Sequence, residues 1–203
     1  MPEIIRGIEQ GSPEWFVLCL GSAGGSSAPA LLAKGQGKMR QTLLYKLAGE
    51  ILTGKKTDGY QSDDMRRGNF YEPEARIYYE FLRNVDVETV ALVKSNIDGI
   101  HVSPDGLIGT DGGIEIKTQQ PHVYVETKDT EKVDIGYVRQ CQHFLWVSER
   151  QWIDFCAYCP EIIHGEKMWI KRFERDEKMI TELREQAEKF LTELNELVKR
   201  MGG

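Results

Sequence analysis

Apolar residues recur along this chain with two different periods, which predict helices in some stretches and strands in others. Between residues 38 and 53, Leu43, Leu47 and Ile51 are spaced as they are on one face of a helix. Gly54 follows at the position where a helix commonly ends. The pattern therefore predicts a helix over 38–53.

Four other stretches are predicted to be helical. A short helix over 13–19 has Ser12 as its N-cap. The stretch 64–82 has helical spacing, but Pro73 is expected to lie near a turn boundary or to kink the helix. Residues 135–147 are also predicted to be a helix. The last helix has the clearest apolar stripe, which is formed by Ile180, Leu183, Ala187, Phe190, Leu191, Leu194 and Leu197.

The middle of the chain changes to the two-residue period of β-strands. The predicted strands lie at 85–93, 101–103, 107–109, 114–117, 151–155 and 167–171. Thr110-Asp111-Gly112-Gly113 is predicted to be a turn from its composition. This order of helices and strands is typical of a mixed α/β protein.

The composition is that of an ordinary globular protein, with 203 residues, 40% of them hydrophobic and 29% charged. The length predicts a single domain over residues 1–203, and four cysteines do not suggest a disulfide framework. No stretch approaches the roughly 18 apolar residues of a membrane span. The start of the chain has no signal-peptide pattern, so we expect a cytoplasmic protein. The net charge of −6 argues against indiscriminate nucleic-acid binding but leaves room for a local basic site.

Three charged side chains are predicted to meet around a turn in the middle of the chain. Residues two apart on a strand share a face, so Glu115 and Lys117 project to one side while Ile116 enters the core. A turn-linked hairpin can bring Asp105 next to Glu115. Two adjacent carboxylates need a cation between them, and their oxygens suit Mg²⁺. The main-chain carbonyl of Ile116 is available as a further ligand.

Such a site has the parts that phosphodiester hydrolysis requires. A bound divalent cation polarises the phosphoryl oxygen and lowers the pKa of a bound water. Lys117 is placed to orient this water and to stabilise negative charge in the transition state. An isolated Glu-x-Lys on a strand is more often a solvated ion pair. The residues by themselves leave both interpretations open.

Five motifs occur in an order that resembles the PD-(D/E)XK nuclease superfamily, and more narrowly the phage lambda exonuclease or YqaJ-like viral recombinase family. They are Gly11-Ser12-Pro13-Glu14-Trp15 with Leu20-Gly21, Arg67-Gly68-Asn69-Phe70-Tyr71-Glu72-Pro73-Glu74-Ala75-Arg76, Ser103-Pro104-Asp105-Gly106-Leu107-Ile108-Gly109 with Gly113-Ile114-Glu115-Ile116-Lys117, Gln140-Cys141-Gln142-His143, and Trp152-Ile153-Asp154-Phe155. The resemblance implies a restriction-endonuclease-like core, with a central mixed β-sheet flanked by helices and a long C-terminal helix.

The same resemblance implies a role for each matching residue. Asp105 and Glu115 are expected to bind the catalytic metal, with Lys117 beside the attacking water. Glu72 is expected to complete the metal site. Gln142 is expected to contact the DNA phosphate near the metal.

Gln142 is preferred over Gln140 because the two cannot face the same way on a helix, and Trp146 follows Gln142 one turn later. Ser26 and Ser103 match hydroxyls near the terminal 5′-phosphate of the DNA.

The family resemblance also implies an activity and partners. Members degrade one strand of linear double-stranded DNA from the 5′ end to mononucleotides and leave a 3′ overhang for phage-type recombination by strand annealing. A homotrimeric ring, a single-strand annealing protein, Mg²⁺ with Mn²⁺ as a substitute, and a phage or prophage origin in a bacterial host are therefore expected. The alternatives are a restriction or repair endonuclease and a DNA-end-binding recombination module that does not cleave.

One position departs from the family pattern. Where the family often has an arginine that binds the 5′-phosphate, this chain has Cys19, which is neutral and a weak donor. Either Arg66, Arg67 or Arg139 takes over this contact, or the preference for a 5′-phosphate is weaker. A third alternative is that Cys19 is an engineered substitution.

Overall fold

The computed structural model, which describes residues 2–33, 37–57 and 62–202, is a mixed α/β structure, as the sequence predicts. The helices are α1 (Pro13–Leu18), α2 (Ala28–Leu31), α3 (Lys38–Thr53), α4 (Asp63–Arg83), α5 (Pro121–Thr130), α6 (Ile135–Ser148) and α7 (Glu177–Arg200), with a 3₁₀ turn at Gly25–Ser27. The strands are β1 (Glu3–Ile5), β2 (Leu92–Lys94), β3 (His101–Val102), β4 (Gly106–Ile108), β5 (Gly112–Thr118), β6 (Trp152–Tyr158) and β7 (Met168–Glu174).

The strands form two sheets. The smaller sheet has the order β1-β2-β3 and is antiparallel throughout. The larger sheet has the order β4-β5-β6-β7 and is mixed, because β5 and β6 run parallel whereas the outer pairs are antiparallel. The central strand β5 carries the Glu-x-Lys motif, with Glu115 opposite Phe155 of β6.

The two faces of the larger sheet are covered by different helices. On one face, Ile114 and Ile116 belong to an apolar cluster with Ala75 and Tyr79 of α4. The other face contributes to the main core together with α6, the stripe of α7 and part of α3; this core includes Leu47, Phe144, Leu145, Ile153, Phe155, Leu183, Phe190 and Leu194. The end of β5 is therefore enclosed between α4 and α6.

Gly112 and Gly113 belong to β5, and their prediction as part of a turn was wrong. A Cβ at Gly112 would lie 2.0 Å from the Trp152 ring, and one at Gly113 would lie 2.3 Å from the Phe144 ring. These glycines are there because aromatic side chains pack directly against the strand backbone, which leaves no room for a side chain.

Pro73 lies inside α4, which excludes the first of its two predicted alternatives, a position near a turn boundary. The helix begins after Ser62, whose hydroxyl accepts a hydrogen bond from the Met65 N–H, and ends at Asn84, a residue with a φ of 52°. Proline removes one helical hydrogen bond, and Pro73 is exposed, so its ring avoids the packed face of the helix.

The prediction of a strand over 85–93 is wrong for most of that range. Only β2, which begins at Leu92, is a strand, and Glu88 forms a single isolated bridge with Leu107.

Helix α5 was not predicted because it buries only Tyr124 and Thr127 and so has no apolar stripe. No helix in the described part of the chain has the length and apolar character that crossing a membrane requires.

Candidate active site

Asp105 lies next to the central strand, as the predicted hairpin requires. It immediately precedes β4, which pairs with β5 so that Gly106 is opposite Ile114. Its carboxylate oxygen Oδ2 accepts a hydrogen bond of 2.6 Å from the main-chain N–H of Ile116. The carboxylate is therefore fixed at the edge of the strand between the two charged residues of the motif.

Glu115 and Lys117 share a face of β5 and form an ion pair, with 2.5 Å between Lys117 Nζ and Glu115 Oε1. Glu115 is only 3% exposed. The same Oε1 accepts a hydrogen bond of 2.6 Å from the Gln140 side-chain amide. The pair is therefore part of an enclosed site and is not a solvated surface contact.

The structure places Gln140 at this site, and the prediction that Gln142 faces it was wrong. The Gln142 amide donates to the carbonyl of Glu174 and its oxygen accepts from the N–H of Asp176, both at 2.8 Å. Gln142 is 2% exposed and joins α6 to the start of α7. The Trp146 signal was misleading because its ring packs on the His143 side of α6, in the main core.

A better signal for the face of α6 that points to the site is the spacing of Tyr137, Gln140 and Phe144. These positions, three and four residues apart, share one face. The Tyr137 ring lies 5.3 Å from Lys117 Nζ and stacks on Phe155 at 5.7 Å. Tyr137, like Gln140, was missed as a site residue at the sequence level.

Glu72 reaches the site from α4 on the opposite side of β5. Its Oε1 accepts a hydrogen bond of 2.5 Å from Arg76, one turn later on the helix. Arg76 also donates from Nε to the carbonyl of Asp105 at 2.9 Å. The Gln10 amide holds the preceding residue, donating to the carbonyl of Pro104 at 2.9 Å.

The carboxylates at this site are buried and close to one another, which makes their ionisation costly. Burial, with a further contribution from Asp105, raises the pKa of Glu72 to about 7. Burial likewise raises the pKa of Glu115 to about 7, although Lys117 opposes this shift. The pKa of Asp105 is raised by burial as well. Burial acts to lower the pKa of Lys117, but Glu115 and Asp105 outweigh it and the pKa is raised.

The donor chemistry of this site fits a hard divalent cation. The available groups are the carboxylates of Glu72, Asp105 and Glu115 and the carbonyl of Ile116, and Mg²⁺ prefers oxygen ligands. Among the described residues, no group of three or more histidine, cysteine, aspartate or glutamate side chains is arranged to hold a metal ion as it stands. In this structure Lys117 and Arg76 instead supply positive charge beside Glu115 and Glu72.

An open cleft of about 570 Å³ gives access to these groups. Its walls come from α4, the end of β5 and the beginnings of α5 and α6; the lining includes Gln10, Asp64, Met65, Glu72, Asp105, Ile116, Lys117, Thr118, Gln120 and Tyr137. Glu115 lies behind this surface. Lys117, Asp105 and Glu72 therefore all line the same cleft.

The residues expected near a 5′-phosphate differ in how exposed they are to solvent. Ser26 is exposed, and Ser103 accepts a hydrogen bond of 3.1 Å from the Trp15 indole. Cys19 is 2% exposed, and burial raises the pKa of its thiol to about 11. The cation beside it is Lys56, which donates to the Cys19 carbonyl at 2.9 Å and was missed by the sequence reasoning.

The three candidate arginines are not equally available to a phosphate. Both terminal nitrogens of the Arg67 guanidinium already donate to the Glu161 carboxylate, at 2.5 and 2.6 Å. Arg66 forms an ion pair with Asp63 in the first turn of α4. Arg139 is partly exposed on α6.

Comparison with known proteins gives matches along most of the chain. Residues 14–151 match the YqaJ-like viral recombinase domain family. The crystal structure of an alkaline exonuclease, LHK-Exo, from Laribacter hongkongensis is 31% identical in sequence and covers 94% of this chain and 96% of its own, with a TM-score of 0.87. The structure of LHK-Exo in complex with dAMP has the same identity and coverage and a TM-score of 0.88.

A more distant structure shares the fold. It is a phage-related exonuclease from Haemophilus somnus 129PT, 14% identical, with a TM-score of 0.71 over 89% of this chain and 96% of its own. No curated protein matches the chain.

Proposed function

Because the chain belongs to the YqaJ-like viral recombinase family, we propose that it is a Mg²⁺-dependent nuclease that degrades one strand of linear double-stranded DNA from its 5′ end. The family and its alkaline exonuclease relative support a nuclease. The 5′-to-3′ direction, the release of mononucleotides and the resulting 3′ overhang are the finer parts of the proposal.

The observation that carries the proposal is the arrangement around Ile116. Its N–H holds the Asp105 carboxylate at 2.6 Å, while Glu115 and Lys117 on either side of it form an ion pair at 2.5 Å. Two acids and one ammonium group thus meet at the edge of one strand. Glu72 adds a third carboxylate from α4.

In this proposal Asp105, Glu115, Glu72 and the Ile116 carbonyl hold the metal, and the scissile phosphate lies in the cleft. A bound Mg²⁺ supplies Lewis acidity and a more acidic water. Lys117 positions this water and stabilises negative charge on the phosphoryl group in the transition state. Gln140, whose amide donates to Glu115, orients that carboxylate. Asp105 is held in place by the main chain of β5.

We also propose that the protein works as a homotrimeric ring with DNA in its channel and acts with a single-strand annealing protein. A ring reconciles a net charge of −6 with a polyanionic substrate, since the outside can be acidic while the channel is basic. Threading also prevents the enzyme from leaving the strand between cleavage steps.

The test is a nuclease assay in Mg²⁺ and in EDTA on linear duplex with 5′-phosphate, linear duplex with 5′-hydroxyl, and covalently closed circles. We expect mononucleotide release from linear duplex only, and only with the metal. Rapid cutting of closed circles would favour an endonuclease. Binding to ends without any nucleotide release would favour a non-cleaving end-binding module.

Replacing Lys117 tests the role assigned to its ammonium group. We expect Lys117→Ala to bind linear duplex as the unaltered protein does but to release nucleotides at least about 100-fold more slowly, a factor typical of lost catalytic groups. Binding is measured by fluorescence anisotropy in Ca²⁺, and release by acid-soluble product. Full activity in Lys117→Ala would remove this residue from the mechanism.

A further inference from the structure

Arg76 makes two hydrogen bonds that join distant parts of the chain at the candidate active site. Its Nη2 donates to Glu72 Oε1 at 2.5 Å, and its Nε donates to the main-chain carbonyl of Asp105 at 2.9 Å. Glu72 belongs to α4, whereas Asp105 precedes β4, 29 residues after Arg76. A single guanidinium thus contacts both a carboxylate and the backbone that carries another carboxylate.

These contacts differ from those of an ordinary surface pair. An exposed Arg–Glu pair one helical turn apart contributes little to stability. The Arg76 side chain is 19% exposed, and its second bond goes to a residue outside the helix. The planar fork of arginine presents its donors at fixed angles, whereas the ammonium of lysine is a point charge on a flexible stem.

Two side-chain contacts next to Asp105 come from other parts of the chain. Ile116 N–H fixes the Asp105 carboxylate, and the Gln10 amide fixes the carbonyl of Pro104. Neither of these contacts reaches α4. Among the described residues, Arg76 provides the hydrogen bonds that set Glu72 relative to Asp105.

We propose that Arg76 is a positioning residue that holds Glu72 and Asp105 at the spacing needed to share one divalent cation. The inference rests on the proposed metal-dependent function and extends it to a residue that touches neither the metal nor the substrate. Residues that orient metal ligands in this way commonly change metal affinity by 10- to 100-fold when they are replaced.

The test measures metal binding without relying on turnover. Mn²⁺ binding to DNA-free protein is followed by electron paramagnetic resonance for the unaltered protein, Arg76→Met, Arg76→Lys and the control Arg83→Met. Arg83 lies on the same helix and also pairs with a carboxylate, Asp154 at 3.9 Å, but is far along α4 from Glu72. Thermal unfolding without metal shows that each variant is folded.

We expect Arg76→Met to bind Mn²⁺ at least about tenfold more weakly, with Arg76→Lys intermediate and Arg83→Met unchanged. In the Glu72→Gln background, adding Arg76→Met should cost much less, because the residue it positions is no longer a carboxylate. A folded Arg76→Met variant with unaltered Mn²⁺ affinity would overturn the inference alone. Unaltered protein that binds no Mn²⁺ would overturn the proposed function and this inference together.

Discussion

Gln140 and Gln142 are two residues apart on α6 and have opposite surroundings. The Gln140 amide donates to Glu115 in the candidate active site, whereas both ends of the Gln142 amide bind the main chain where β7 passes into α7. The sequence predicts that only one of the two faces the site. It does not say which, because that depends on how α6 is rotated against the sheet.

This difference predicts separate effects for two matched substitutions. Gln142→Leu should lower the free energy of unfolding by about 1–3 kcal/mol, since it removes the two hydrogen bonds that this buried side chain makes to the Glu174 carbonyl and the Asp176 N–H. Gln140→Leu should change it by less than about 1 kcal/mol and reduce nucleotide release instead. Urea unfolding and the linear-duplex assay measure the two effects. The reverse outcome would contradict the placement of these residues.

At the scale of the element, α7 shows how closely burial follows a clear apolar stripe. Its buried residues are Ile180, Leu183, Ala187, Phe190, Leu194 and Leu197, all of which the spacing predicts. Helix α3 is less regular, because Ile51 of its predicted face is 40% exposed. Periodicity is thus reliable for a helix that packs along its whole length and less so for one that packs over part of it.

Helix α7 contributes to the main core through Phe190, which is fully buried with the Arg40 guanidinium over its ring at 5.3 Å. Phe190→Ala should therefore lower the free energy of unfolding by about 3–5 kcal/mol. Glu196→Ala, an exposed change on the same helix, should stay within about 0.5 kcal/mol. Urea unfolding of both variants is the measurement. A small loss for Phe190→Ala would mean that α7 is not docked as the structure shows.

For the whole molecule, two buried histidines make the free energy of unfolding depend on pH. Burial lowers the pKa of His101 to about 3 and that of His143 to about 4. The His143 Nε2–H donates to the His101 carbonyl at 2.9 Å, which requires no positive charge on either ring. Both rings are therefore neutral in the folded protein at neutral pH.

Acid should therefore remove the contribution of these two histidines to stability. Each histidine binds a proton near pH 6.5 when unfolded but only near pH 3–4 when folded. Its contribution to stability is complete above pH 6.5 and falls by about 1.4 kcal/mol per pH unit as the pH decreases toward the folded pKa. Glu72 and Glu115 act in the opposite direction over this range, because their pKa values are raised to about 7 in the folded protein. The slope measured by urea unfolding between pH 7 and 5 is therefore compared among variants: His143→Gln should lose the share of His143, and His164→Gln, an exposed control, should leave the slope unchanged. An equal slope in His143→Gln would contradict the assignment.

The sequence by itself determined the mixed α/β class, most helices, and the meeting of Asp105 with Glu115 and Lys117. These features depend on local periodicity and on a short hairpin, so neighbouring residues carry the information. The tertiary structure decided which side of α6 faces the strand and that Arg76 bridges Glu72 to the Asp105 backbone. It also decided that Gly112 and Gly113 are strand residues. Those outcomes depend on contacts between elements far apart in the chain, whose rotation and depth no local pattern encodes.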